Sequence, residues 1–231
     1  QFKDKAPKPL YLLHGEEPFY IDEITDAASK HLLEDHEKDF NLTVTYGKDV
    51  DFSELLEQVK RFPMMAERQV VIVKEAQDVR NWDAFNGYFE NPTSSTVLIL
   101  AHKYKKAPAN KKFFKLIKKN GEIFESKKLY ENQVDAWIIN FLKERGYTIT
   151  QKATMLLVES LGADLSKIAN ELKKLSIVLG DVKAIDETHI EKNIGISKDY
   201  NAFELTNAIA SRDILKANKI INYFEQNPKA G

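Results

Sequence analysis

The sequence predicts an α/β domain built on a mostly parallel sheet, followed by a small helical domain and the opening of a further helical region. Three observations carry this expectation. Up to about residue 128, short apolar runs bounded by turn residues alternate with amphipathic stretches, the pattern of βαβ units. From Tyr130 onward the apolar residues keep helical spacing and no strand-like run recurs. The chain has 231 residues, 43% of them hydrophobic and 30% charged, which is enough for more than one packed core.

Taken in order, Leu10-Tyr11-Leu12-Leu13 reads as a buried strand, and Pro18 sits where a first helical turn tolerates it, ahead of Ile21, Ile24, Ala28 and Leu32. A second strand at Thr43-Val44-Thr45-Tyr46 precedes Phe52, Leu55, Leu56, Val59 and Phe62, which share one helical face until Pro63 ends the helix. Val70 to Val73 forms the third strand, Asn81 to Phe89 a helix, and Thr96 to Ala101 the fourth strand. A Lys-rich helix from about Ala109 to Lys119 then leads through Asn120-Gly121 to a short strand at Ile123-Phe124.

In the second half, Val134, Trp137, Ile138, Phe141 and Leu142 form one stripe closed by Gly146, and Leu156, Leu157 and Leu161 another closed by Gly162. Leu165, Ile168, Ala169, Leu172, Leu175 and Leu179 form a third, capped by Asp164 and closed by Gly180. After Gly195-Ile196-Ser197-Lys198-Asp199, two more amphipathic helices are expected near Phe203 to Ala210 and Asp213 to Phe224. The expected domains are therefore 1–128, 129–198 and the beginning of a third over 199–231.

Composition narrows the function classes. With no cysteine there is neither a disulfide framework nor a thiolate nucleophile or metal ligand, which fits a reducing, cytoplasmic setting. Thirty-four Lys and Arg against 35 Asp and Glu leave a net charge of −1, which argues against a main affinity for nucleic acid through bulk positive field, so any such contact must be local. The apolar runs are far shorter than the ~20 residues of a membrane helix. An amino end lacking an initiator Met and a carboxyl end at Asn227-Pro228-Lys229-Ala230-Gly231 fit a fragment of a longer protein.

Gly15 follows a strand and precedes a helix, where a phosphate-binding loop would sit. A P-loop counted from Gly15 needs Gly, Lys and a hydroxyl where this chain has Tyr20, Ile21 and Asp22, and Glu16 and Glu17 would repel phosphate. The third strand ends Val73-Lys74-Glu75, placing a cation where an NTPase holds its magnesium-binding Asp. The expectation is a tight turn with an acidic helix start that complements the helix dipole. The five histidines lack metal-ligand spacing, no nucleophile motif occurs, and no cofactor is expected.

Two segments carry chemistry. Lys103, Lys105, Lys106, Lys111, Lys112, Lys115, Lys118, Lys119, Lys127 and Lys128 form a local basic run that either tracks a phosphate backbone or solvates a helix face. In Arg61-Phe62-Pro63-Met64-Met65-Ala66-Glu67-Arg68-Gln69, Pro63 stops a helix and two Met side chains follow. Adjacent residues cannot both face one interior, so at least one Met is expected at the surface, as an adaptable protein-binding plug.

The chain resembles the delta subunit of bacterial DNA polymerase III, the clamp-loader component that opens the sliding clamp. The resemblance rests on Tyr11 to Phe19 (YLLHGEEPF), Phe62 to Ala76 (FPMMAERQVVIVKEA), Leu161 to Leu175, and Ile194 to Ser197 leading to Asn201 to Leu205, in that order and spacing. It implies an AAA+-like α/β domain without a working nucleotide site, a helical lid and a truncated ring-assembly domain. It also implies a hydrophobic pair, here Met64 and Met65 with Phe62 and Pro63 beside them, that enters a pocket on the clamp. The implied partners are the sliding clamp (beta subunit) and the gamma/tau and delta prime subunits, with DNA touched weakly within the complex and no membrane. No catalysis is expected from the chain itself, as one part of a DNA-directed DNA polymerase complex. Two alternatives stand beside this: a divergent AAA+-type NTPase, and a nucleic-acid-binding adaptor using the Lys-rich segment.

Overall fold

The computed structural model describes residues 7–194 and 199–227, in two compact units that divide after Lys128. The first unit is a three-layer α/β sandwich. Its strands β1 (Leu10–Gly15), β2 (Leu42–Tyr46), β3 (Gln69–Lys74), β4 (Thr96–His102) and β5 (Glu122–Ser126) form one sheet in the order β2-β3-β4-β1-β5, with every pairing parallel. The helices that return the chain between them are α1 (Pro18–His31), α2 (Asp35–Asn41), α3 (Phe52–Lys60), α4 (Asn86–Glu90) and α5 (Lys112–Asn120).

The central strands are apolar throughout because helices cover both faces. Alternate residues serve opposite layers: Leu10, Leu12, Val71, Val73, Leu98 and Leu100 pack with Leu55, Val59, Phe85, Phe89 and Ile117. Leu13, Val70, Ile72, Val97, Ile99 and Ala101 pack on the other side with Ile21, Ala28 and Leu32.

Local chemistry sets the element ends. The Asp51 carboxylate accepts the N–H groups of Ser53 and Glu54 and so starts α3. That helix was expected to carry Phe62 on its buried face, but it stops at Lys60, because Arg61 is already extended (φ −63°, ψ 144°) ahead of the Phe62-Pro63 pair. Phe62 accordingly lies beyond the helix and in solvent. The helix expected at Asn81 to Phe89 is a 3₁₀ turn at Trp82–Phe85 continued by α4, with the Asn81 side chain accepting from the Asp83 N–H. The short α2 had no sequence counterpart, since seven residues are too few to show a helical period.

The second unit contains α6 (Glu131–Lys143), α7 (Gln151–Leu161), α8 (Leu165–Leu179), α9 (Glu187–Ile194), α10 (Ala202–Ala210) and α11 (Ile214–Gln226). Thr150 caps α7, and Asp164 caps α8 by accepting from the Lys167 N–H at 3.0 Å. Contrary to the expectation of helices alone, β6 (Thr148–Ile149) pairs in parallel with β7 (Ala184–Ile185); two-residue strands leave no periodic trace. The helix α9 is likewise an addition to the expected elements. The expected linker at 195–198 lies outside the described residues. Past it the chain stays within this unit: the Phe203 N–H donates to Glu159 at 2.7 Å, and Glu204 meets Lys152 and Lys216 at 3.4 and 2.5 Å.

Candidate partner-binding site

Residues 61–68 join α3 to β3 without regular structure, and the surrounding side chains hold this loop firmly. Asn41, buried at the end of α2, acts on both backbone groups of Met64: its Nδ2 donates to the Met64 carbonyl at 2.9 Å, and its Oδ1 accepts the Met64 N–H at 2.7 Å. Arg61 Nη2 donates to the Phe40 carbonyl at 2.6 Å. At the far end, the buried Gln69 Nε2 donates to the carbonyls of Arg61 at 2.6 Å and Gln58 at 2.9 Å. The Asn41 and Gln69 amides thus meet the Met64 and Arg61 backbone groups in place of a ladder, and the Arg61 guanidinium ties the start of the loop to α2.

This support leaves the loop's apolar side chains to solvent. Phe62 is 84% exposed, Met64 55% and Met65 95%. Pro63 is half-buried between them and fixes the entry into the turn. Met65 has φ +53°, in the left-handed region that costs a side-chain-bearing residue roughly 1–2 kcal/mol. The structure therefore brings all four residues, Phe62, Pro63, Met64 and Met65, into one tip, with both Met side chains outward where only one was required.

Sequence reasoning missed Asn41, Gln69 and Arg61 as the residues that shape this tip. Asn41 lies 23 positions before Met64, and nothing local announces the pairing.

The turn between β1 and α1 is built for closure. Gly15 has φ +141°, and a Cβ there would lie 1.9 Å from the Ser126 carbonyl oxygen. The Glu17 N–H donates to that same carbonyl at 3.3 Å, and the buried Glu17 carboxylate accepts the Phe19 N–H at 2.9 Å. A phosphate would find these donors used and a carboxylate in its place. Opposite the turn, the buried Lys103 Nζ bridges Asp22 at 2.6 Å and Glu75 at 3.1 Å, tying α1 to the exits of β3 and β4. Burial opposes ionisation of Glu75, yet hydrogen bonds from Gln77 and Lys103 outweigh it and hold the carboxyl below its usual range. Burial likewise opposes the Lys103 charge, and its two carboxylates raise it above the ordinary lysine value. These residues do not fit a nucleoside triphosphate.

The basic run is dispersed by the fold. Lys103 faces inward, Lys106 pairs with Glu125 at 2.8 Å and Lys112 with Glu90 at 2.9 Å. Lys105, Lys106 and Lys111 join Arg80 around a cavity of about 330 Å³ whose lining also includes Trp82, Asp83, His102 and Phe113. Beside it, burial pushes His14 and His102 below the usual histidine value; His14 Nδ1 accepts the Ala107 N–H at 3.3 Å and His102 Nδ1 lies 3.1 Å from the Lys105 carbonyl. No helix among the described residues is long and apolar enough to cross a membrane.

Comparison with known proteins places this geometry. The model of the family described as DNA polymerase III, delta subunit, matches residues 11–127. DNA polymerase III subunit delta of Bacillus subtilis is 29% identical over 231 residues, covering 91% of this chain and 67% of that protein. A probable DNA polymerase III subunit delta of Aquifex aeolicus is 22% identical over 234 residues, covering 96% and 65%. The chain thus spans about two thirds of the length of these relatives. Among solved structures, the Bacillus subtilis DNA clamp loader delta protein aligns with a TM-score of 0.71 and 28% identity over 98% of this chain and 70% of its own. The Thermotoga maritima RuvB Holliday junction branch migration motor aligns with a TM-score of 0.50 at 12% identity over 84% and 64%, a likeness of fold alone.

Proposed function

The chain belongs to the DNA polymerase III delta-subunit family, and we propose that it serves a clamp loader by docking on the sliding clamp through Phe62, Pro63, Met64 and Met65. The observation that carries this reading is the tip itself: three large apolar side chains stand in water on a loop whose backbone is hydrogen-bonded to its support. A monomer gains nothing from such exposure, whereas a partner pocket recovers the hydrophobic free energy without having to order the loop. Met side chains adapt to the shape of the pocket they enter.

Docking differs from opening. A subunit shifts a closed ring toward an open one only by binding the open form better, so the surface around the tip must distinguish the two forms. In this reading residues 1–128 face the clamp, 129–198 are the lid, and 199–231 begin the region that joins the gamma/tau and delta prime subunits. With Glu17 and the Lys103 bridge closing the nucleotide position, the chain itself supplies no chemistry to the polymerase assembly and works in the cytoplasm as a protein-binding part.

Titrating the chain with the sliding clamp of the same organism tests the proposal. Replacing Met64 and Met65 together by Ser should weaken binding at least about tenfold, since burying one Met is worth roughly 1.5–3 kcal/mol; unchanged affinity rejects the assignment. A second reading, contact with a DNA backbone, is supported by the cations Arg80, Lys105, Lys106 and Lys111 around one cavity. It requires binding to short duplexes that falls steeply with salt and is lost when Lys105 and Lys111 become Glu.

A further inference from the structure

The apolar tip is joined to a second exposed ring. Phe40, in the last turn of α2, is 56% exposed, its carbonyl accepts from Arg61 at 2.6 Å, and the next residue, Asn41, holds both backbone groups of Met64. Asn41 Nδ2 also reaches the Glu37 carbonyl at 3.0 Å, so the amide that sets the tip is anchored in α2's own backbone. A large ring left in solvent at a helix end is not explained by the packing of this unit. The Phe40 backbone is hydrogen-bonded to the start of the plug loop, which fixes the end of α2 beside that loop.

We infer that the end of α2 belongs to the clamp-docking apparatus: Asn41 is a positioning residue that presets the Met64-Met65 turn, and Phe40 extends the apolar surface offered to the same partner. The inference rests on the docking role proposed for Met64 and Met65. Met65 keeps a left-handed backbone at a cost, and such a conformation persists only where its neighbours over-determine it. The two hydrogen bonds between Asn41 and Met64, the preceding residue, supply that constraint. Without them the loop samples other turns, and the apparent affinity falls by the fraction of time the docking turn is lost.

The test is clamp titration of Phe40→Ser, Asn41→Ala and Asn41→Asp in the otherwise complete chain, each alone and combined with Met64→Ser and Met65→Ser. Amide hydrogen exchange at Met64 and thermal melting are followed in parallel. Phe40→Ser should cost about four- to fifteenfold in affinity, on the scale of one half-exposed aromatic. The Asn41 variants should speed exchange at Met64 and cost about three- to tenfold, as expected for ordering one or two more side chains on binding. The discriminating readout is the combination: once the Met pair is gone, Asn41→Ala should add no further loss, whereas general damage to the fold would still add. Should the Asn41 variants not fold, Phe40→Ser alone decides, because its side chain lies at the surface. Full affinity in Phe40→Ser, or an Asn41 loss that persists without the Met pair, overturns this inference while leaving the plug intact. Full affinity in the double Met variant overturns the docking role itself.

Discussion

If the tip docks as a rigid body, the three apolar side chains should matter in the order of their exposure. A fully buried Met or Phe is worth roughly 1.5–3 kcal/mol. Scaling by the 95%, 84% and 55% exposures gives about 1.4–2.9 kcal/mol for Met65, 1.3–2.5 for Phe62 and 0.8–1.7 for Met64. At about 1.4 kcal/mol per tenfold, Met65→Ser should lose about ten- to a hundredfold in clamp affinity and Met64→Ser about four- to fifteenfold, with Phe62→Ser between them. Their combined worth falls short of the ~12 kcal/mol of a nanomolar complex, so a wider surface must contribute, with these residues as its hot spot. Calorimetric titration of the three single variants reads the order directly. Because all three side chains stand in solvent in the free chain, their melting temperatures should stay within about 2 °C of the parent. A loss at Met64 exceeding that at Met65 would refute the reasoning, since it would mean that the loop inverts on binding.

Gly15→Ala should prevent stable folding, at a cost of about 4 kcal/mol or more, because its Cβ would meet the Ser126 carbonyl at 1.9 Å; a soluble variant with an unchanged melt would contradict the geometry. Lys103→Met strands Asp22 and Glu75 without their shared cation and should cost about 2 kcal/mol, read as a denaturation midpoint shifted down. His14 and His102 both have lowered folded values against 6.5 unfolded, so the unfolded chain binds protons first and their contribution, present above pH 6.5, is lost as pH falls below it. Melting as pH falls below 6.5 should show a decline that His102→Gln reduces, and an equal decline in the variant would exclude His102 as a source. Labelled ATP with magnesium should not bind in the micromolar range, and saturable binding would overturn the account of the β1–α1 turn.

Much of the first unit was legible because it is regular. Five short runs separated by amphipathic stretches announced five strands, and the apolarity of the three central ones, β1, β3 and β4, announced helices on both faces. Asp164, Gly146, Gly162 and Gly180 marked helix ends through chemistry local to a few residues. What stayed hidden was short or non-local. The helix α2 and the β6–β7 pair are too brief for a period to show. Trp82–Phe85 read as α-helix because its apolar spacing suits either helical form.

The candidate site divides along the same line. Pro63 and the adjacent Met64 and Met65 are sequence features, since a proline that ends a helix before two unbranched apolar residues forces at least one outward. A failed P-loop is likewise a matter of counting residues from Gly15. That both Met side chains face solvent, and in one backbone turn, was decided by Asn41 reaching across from α2 to Met64 and by Arg61, just past α3, being tied back to Phe40. That Lys103 is a buried tie instead of a phosphate contact was decided by Asp22 and Glu75 meeting it from two other elements. Chain order determines what neighbours along the backbone can do, because propensity and capping act over a few residues. Which distant amide, carboxylate or ring arrives beside them depends on packing, and the packed sheet placed the supports of this tip.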